Sequence, residues 1–552
     1  MKHRIIFSFI ISFFLIFFNG CSKKTPRDSR IVIGISSDIK TLDPLYTLNL
    51  NEGRISELIY LSLIGHEWDN ENGNITSYPM LAKSWEWINN HKSIKIILRE
   101  NLFWSDSSKF SAKDIVFTFD AYSDPQVQSR FYGEFNNFYV DKDSHIDISK
   151  SFDILAPDTL IINFKKNANP TLFDIDMPIL PEHYFSKLKR GDYSTAEINF
   201  RTIGTGPYVV KSWLKNEKIV LKKNKLSYLY SKQSVNRLIF KIIPNYNSRL
   251  IQLQKGEIDI LDDIRSDDLN ELKKANNLKI AVRKGRSYDY VGLSNIDKEI
   301  YQRKGKVVPN SLFGNSKVRK AIAHAINRKV IMEEFLNNAA ELAVSPVAPI
   351  FKFALNPSIQ PYNFNPELAG RMLKELGWSD SDQNGILDKS GKEFSFDLYI
   401  PSGNPRRKFT ASIIKENLKD VGIEIKVKSV EPSVFFNNMF EKKYDAWIAG
   451  WAVPIPIDLK PYWYSNLKVS VANCAGYQNK KVDLLLKKIE SSTNIKELSG
   501  YYKDVQLLIH NDEPVVFLFW IDNITAYNKK LKNLSINPLG SIQHCWEWRV
   551  TK

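Results

Sequence analysis

The sequence predicts an α/β chain divided into at least two lobes. At 552 residues it is longer than a single hydrophobic core usually supports. Strand-period and helix-period segments are mixed along its length, which points to an α/β architecture. No solenoid repeat and no low-complexity linker interrupts the series. Apolar residues make up 43% and aromatic residues 12%, enough to fill packed interiors.

"RIVIGIS" is the first strand, with Ile31, Ile33 and Ile35 alternating onto one face. A loop then runs into a helix carrying Ile55, Leu58, Ile59 and Leu63 at helical spacing. "SIKIILRENLFW" is strand-like, and "SAKDIVFTFDAY" reads as a helix capped by Ser111 with Asp114 three residues on. "GTGPYVVKSWLKNEKIVLKKN" is a Gly-Pro turn leading into two strands that turn at Lys215–Glu217. A helix follows over "NSKVRKAIAHAINRKVIMEEF", capped at Asn315 or Ser316, with Val318, Ile322, Ile326 and Val330 repeating every four residues. Farther on, Phe409, Ile413, Ile414 and Leu418 stripe a helix that Gly422 ends. Ile423, Ile425 and Val427 then alternate as a strand.

The N-terminus indicates export. "MKHR" is followed by 14 largely apolar residues, "IIFSFIISFFLIFF", and then by small and polar ones. That stretch is short for a membrane span and has the layout of a secretory signal. Gly20-Cys21 resembles a lipoprotein cleavage site, so residues 1–20 are expected to be removed and Cys21 acylated, with 21–30 as a polar tether. Phe18 departs from the usual leucine three positions before the cysteine, and ordinary cleavage with an incidental cysteine is the alternative. A diacyl anchor would hold the protein firmly on a membrane. After Cys21 only Cys474 and Cys545 remain, and an exported chain can pair them if they meet.

The formal charge of +16 does not indicate nucleic acid, because the basic residues are scattered with no run of five. A positive surface facing anionic lipid fits equally well. Enzyme signatures are missing: no G-x-S-x-G elbow, Walker A, H-E-x-x-H or paired C-x-x-C occurs. The eight histidines lack metal-ligand spacing, and His324 reads as a half-buried packing residue. Asp380, Asp382, Asn384, Gly385 and Asp388 fit part of a calcium loop, but Gly391 stands at the twelfth position, where a bidentate glutamate belongs. A polar turn is the expectation, with no metal and no cofactor.

The stretch "GWAVPIPIDLKPYW", Gly450 to Trp463, sets stiff prolines and aromatic rings on an irregular loop. Its Gly-Trp start belongs to one of ten segments that carry a resemblance. In order these are "TLDPLYT" (41–47), "PMLAKSWEW" (79–87), "LRENLFWSDSSKFSAKDIVFTFDAY" (98–122), "GTGPYVVKSW" (204–213) and "LQKGEIDI" (253–260). "VRKAIAHAINRKVIM" (318–332), "AGRMLKELGW" (369–378), "FDLYIPSGN" (396–404), "YDAWIAGW" (444–451) and "NDEPVVFLF" (511–519) complete the set. Together they resemble the large solute-binding proteins of ABC importers, the family of oligopeptide-, dipeptide- and nickel-binding proteins.

The resemblance implies a two-lobed periplasmic-binding-protein-like fold with a hinge and an interlobe cleft, the first lobe being discontinuous. Lobe I would span 31–289, including an inserted subdomain of about 67–180, lobe II 290–495, and 496–552 would return to lobe I. It implies a monomer that closes on a small-molecule or peptide ligand and passes it to an ABC permease complex, without covalent chemistry. A surface receptor or adhesin using the same fold is the alternative. Within the matched segments the candidate ligand-binding residues are Tyr46, Asn49, Asn51, Asn404, Trp451, Asp458 and Trp463. On the resemblance the Gly-Trp loop is a preshaped ligand wall. The alternative is that Trp451 and Trp463 pack beneath it as core. In peptide binders an aspartate soon after the Gly-Trp pair receives the ligand's amino terminus. Here Ala452, Val453 and Pro454 follow, Ile448 replaces a preceding arginine, and Asp458 is the first acid. Asp458 reads either as a displaced ammonium partner or as a loop cap. Asn49 and Asn51 read either as ligand donors or as helix caps.

Overall fold

A computed structural model describes residues 29–551. The signal segment 1–20, Cys21 and nearly all of the tether lie outside the described residues. From the N-terminal side, β1 (Arg30–Ile35) leads through a loop to helix α1 (Leu50–Ser56) and a hairpin, β2 (Ile64–Asp69) and β3 (Asn74–Pro79). A subdomain follows with β4 (Ala82–Ile88), β5 (Ser93–Leu98), α2 (Ala112–Ser123), β6 (Phe152–Ala156) and β7 (Thr159–Asn163). Its sheet runs β4-β5-β7-β6, and it has its own core, including Ile96, Trp104, Phe119 and Ile162. Ser111 caps α2 reciprocally with Asp114, as the sequence predicts.

The chain then lays down β8 (Tyr208–Leu214), β9 (Lys218–Lys223), β10 (Arg237–Ile242) and β11 (Ile260–Leu261) beside β1. The long strand β12 (Leu278–Leu293) leaves this lobe for the second. There lie α3 (Ser316–Ala325), α4 (Arg328–Glu334), β13 (Ala340–Leu342), β14 (Ser395–Pro401), α5 (Pro405–Lys419), β15 (Glu424–Val430) and β16 (Ala446–Ala452). Helices α6 (Lys480–Ser491) and α7 (Ile495–Asp512) precede the second long strand, β17 (Val515–Asn528).

These strands form one sheet in the order β15-β14-β16-β12-β17-β11-β1-β10-β9-β8, with β13 added on β17. The antiparallel β12–β17 pair therefore joins the two lobes. Leu278–Arg283 pairs with Asn523–Asn528 on the first-lobe side, and Ser287–Gly292 pairs with Val515–Ile521 on the second. Between them the register slips: four steps on β12 face two on β17, a bulge that bends and twists the ladder. Gly285 sits in this bulge because a Cβ there would lie 1.9 Å from the Ile521 carbonyl oxygen. Lys284 reaches Glu341 at 2.7 Å beside it.

Several expectations need correction. The helix after Asn49 stops at Ser56, so Leu58, Ile59 and Leu63 are buried but not helical. The "GTGP" turn takes their backbone instead: Gly206 N donates to Ile59 O, Tyr208 N donates to Leu58 O, and a Cβ at Gly204 would meet Ile59 O at 2.0 Å. The helix expected through Val330 breaks at Ile326, where Asn327 caps a new helix and accepts from Val330 N. The return to the first lobe comes later than residue 496, because α7 buries Tyr502, Val505 and Ile509 in the second-lobe core. The crossing falls inside β17, between Ile521 and Asn523. The loop at 380–388 is a self-satisfied turn, with Asp380 accepting from Asn384 N and Gly385 N.

Cys474 and Cys545, whose pairing the sequence leaves open, are both free and buried. Cys474 lies in the second-lobe core and Cys545 in the first, with different neighbours. Burial pushes the Cys474 thiol up to about 12 and the Cys545 thiol higher still.

Candidate functional site

Between the two halves of the sheet, three hollows run into one another along the first lobe. The widest, about 460 Å³, lies between the end of α1, the β2–β3 hairpin and the C-terminal segment 539–546, and Ile455 of the Gly-Trp loop reaches it from the second lobe. Arg54 and Ile542 are shared with a middle hollow of about 60 Å³ that also includes Asn51, Asp262 and Asp263. Asp263 in turn borders a third hollow of about 370 Å³, which takes in Asn404, Arg406 and Asp522 beside the β12–β17 bulge. The result is an elongated trough with walls from both lobes.

Helix α1 presents Asn51 and Arg54 to the trough, with Glu57 at its C-cap, because residues three apart share a helix face. Its opposite side buries Glu52, Ile55 and Ser56. Arg54 approaches Asp262 at 3.4 Å, and Asp262 also accepts from Thr525 Oγ1 at 2.7 Å and Ser541 Oγ at 2.6 Å. Glu57 is exposed to water at the edge of this hollow, with protein crowded about its carboxyl. That crowding, reinforced by Asp176, raises its carboxyl above the ordinary value against the opposing pull of Arg130, Arg54 and His66. Enclosure and the neighbouring Asp262 likewise raise Asp263. Rings line the wide end: Tyr78 donates to or accepts from His544 Nε2 at 3.0 Å, and His66 stacks on Phe173 at 4.8 Å.

On the second-lobe side, Arg286 of the bulge ties the Gly-Trp loop to the hinge. Its Nη1 donates to Val453 O at 2.6 Å, and its own carbonyl accepts from Val453 N. Gly450 is required where it stands, since a Cβ would fall 2.4 Å from Asp289 Oδ1 and 2.5 Å from Tyr288 O. Asp289 is buried and bonded by Arg406 Nε at 2.8 Å and Arg407 Nη2 at 2.9 Å. Burial alone would raise its carboxyl, but the two guanidinium groups hold it below the ordinary value.

The sequence-predicted residues separate into two groups. Asn51 and Asn404 border the trough. Asn404 also caps α5, accepting from Arg407 N at 3.0 Å. Asn49 caps α1 in a reciprocal box with Glu52, and the Tyr46 hydroxyl is spent on Val127 O at 3.0 Å. Trp451 is half-buried at the end of β16, edge-on to Tyr462 at 5.0 Å, and borders two slots of about 10 Å³. Asp458 accepts from Lys460 N at 3.0 Å in a local turn. Trp463 is 4% exposed and packs on Phe517 and Tyr477, so it is core. Arg54, Glu57, Tyr78 and His544, which line the wide hollow, and Arg286 beside it are not among the sequence candidates.

Comparison with known proteins agrees with this architecture. Over 538 residues the chain is 27% identical to the oligopeptide-binding protein AppA of Bacillus subtilis, covering 96% of this chain and 93% of that protein. The AppA structure in complex with a nonapeptide superposes with a TM-score of 0.70 at 25% identity, covering 95% of this chain and 99% of that one. NikZ of Campylobacter jejuni, solved with Ni(L-His), superposes with a TM-score of 0.72 at 26% identity over 95% of this chain and 100% of its own. The profile of the bacterial extracellular solute-binding proteins, family 5 (middle region), matches residues 76–472. Two lobes on a shared two-strand hinge, a trough between them and a family match over most of the chain agree: this chain belongs to the bacterial extracellular solute-binding proteins, family 5.

Proposed function

We propose that the protein is a lipid-anchored receptor that encloses an extended peptide in the interlobe trough and delivers it to an ABC permease. The observation that carries this reading is the trough itself. It is elongated, bordered by both lobes, and lined with acids and bases as well as rings, which suits a ligand bearing amides, charges and side chains. Similarity to a protein whose structure holds a nonapeptide supports the ligand class.

The mechanism is closure about the β12–β17 bulge. Arg54, Asn51 and Glu57 belong to one lobe; Ile455, Asn404 and the Arg286-anchored loop face them from the bulge and the other. A ligand touching both walls binds the closed form more tightly and so shifts the population towards it. Proline-rich residues 453–461 hold their shape before the ligand arrives, which lowers the ordering cost. The ligand is held without covalent change. Cys21 as the acylated residue follows from the Gly20-Cys21 signal, and the polar residues after it allow the domain to stand clear of the bilayer.

Melting of the soluble domain against synthetic peptide pools, with small-angle scattering in the same samples, tests the reading. A rise in melting temperature accompanied by a smaller radius of gyration is expected. Peptides that produce neither would overturn it. Intact-mass analysis of the protein purified from membranes checks the diacylglyceryl modification at Cys21.

A further inference from the structure

The wide end of the trough carries an unused charge. The Glu57 carboxylate faces it and, among the described residues, makes no side-chain hydrogen bond and no close ion pair. Two of the charged groups around it are held in ion pairs, and the third rests against a ring. Asp176 is held by His66 at 2.8 Å, Arg54 turns to Asp262, and Arg130 lies over the Phe131 ring at 4.4 Å. Asp458, which the sequence reads either as an ammonium partner or as a loop cap, accepts from the Lys460 amide as a cap does. Tyr78, Phe131 and Trp546 line the same cavity as Glu57.

An unpaired carboxylate in a ring-lined cavity has the chemistry to take an organic cation, through charge-assisted hydrogen bonds and ring faces. A neutral ligand group against Glu57 would leave the carboxylate desolvated without a partner, and an anionic one placed there would be repelled by it, although Arg54 and Arg130 line the same cavity. We propose that this end of the trough is a subsite for a cationic group of the ligand, a lysine- or arginine-type side chain or a free amino group, received by Glu57. The proposal rests on the peptide reading above and specifies it. The carboxyl of Glu57, raised by the protein crowded about it and by Asp176 against the pull of Arg130, Arg54 and His66, adds that capture weakens as pH falls and the group protonates.

Two probes separate this claim from the reading beneath it. The first is a matched pair of small molecules, phenethylammonium and 3-phenylpropionate, titrated by calorimetry into the wild-type domain, Glu57→Gln and Glu57→Lys. Because the Glu57 side chain makes no internal hydrogen bond, Glu57→Gln is expected to melt with the wild type. Phenethylammonium should bind the wild type, weaken at least about tenfold in Glu57→Gln and not bind Glu57→Lys. Failure of phenethylammonium to bind, equal binding of phenylpropionate, or unchanged affinity in Glu57→Gln would each overturn the proposal. The second probe is an equimolar peptide pool differing at one position, read by mass spectrometry of what the protein retains. Enrichment of Lys and Arg peptides that disappears in Glu57→Gln supports the subsite, and retention without that preference refutes the subsite alone. If no peptide is retained while phenethylammonium binds, the peptide reading fails and the cation subsite stands.

Discussion

Asp289 joins the hinge strand to the helix that starts at the trough, and its removal should cost stability in a calculable way. It is 1% exposed and meets Arg406 and Arg407 at 2.8 and 2.9 Å. Asp289→Asn keeps the shape and deletes the charge, leaving two guanidinium groups facing a neutral amide. Breaking one side of a buried ion pair costs about 3–5 kcal/mol. The Arg407 side chain is 11% exposed and that of Arg406 26%, so water compensates the second partly and the lower end, about 3 kcal/mol, is expected. Urea unfolding at pH 7, followed by tryptophan fluorescence, measures it. The folded-state carboxyl lies below its ordinary value of about 4. The stability it contributes is therefore present above that value and lost as pH falls through the depressed one. The gap between wild type and Asp289→Asn should hold from pH 8 to 5 and close only below about pH 4. A loss under about 1 kcal/mol at pH 7, or a gap that widens in acid, would refute the ion-pair account.

Three further outcomes follow from the same structure. Trp463→Ala should cost about 3–5 kcal/mol as a core truncation, whereas Trp451→Ala, at a half-buried site, should cost clearly less in the same urea titration. Asp43 is fully buried with Oδ2 unpartnered, and burial lifts its carboxyl to about 7 despite the Leu45 amide. The folded state therefore keeps a proton that the unfolded chain releases, and stability falls as pH rises from about 4 to 7. Asp43→Asn should remove that slope, and identical slopes in the two proteins would refute it. Neither Cys474 nor Cys545 should react with a thiol reagent in the native domain, and both should react once it is unfolded in urea without reductant; a silent unfolded sample would mean a disulfide.

How much of this was legible depended on how local the cause was. The Ser111–Asp114 box and the alternation of Ile31, Ile33 and Ile35 are set by neighbours in sequence, and they stand where expected. The helix over Leu58–Leu63 failed because its backbone partner is the Gly204–Gly206 turn, nearly 150 residues away. The break at Ile326 was marked only by Asn327, a cap hidden inside a continuous apolar stripe. In the site, the three-residue spacing of Asn51, Arg54 and Glu57 opposite the buried Ile55 was a readable signal of a polar helix face. The pairing of Tyr78 with His544 was not readable, because those residues are 466 positions apart and meet only after the chain returns through β17.

That return also explains why the trough lies where it does. Two strands crossing together give a connection that resists sliding, because the ladder hydrogen bonds fix register on both sides of the bulge. The same pair yields most easily at the bulge, where register slips and Gly285 leaves only backbone in contact. In the proposed closure, bending there would carry β16 and the Gly-Trp loop as one body, since Arg286 clasps Val453 and Asp289 anchors α5. The groups so carried, Ile455 and Asn404, border the trough, while α1 on the other lobe stays fixed to β1 and β10. On the proposed mechanism, a ligand that bridges Glu57 or Arg54 and the loop would bias the hinge, and its length would set how much of the trough it closes.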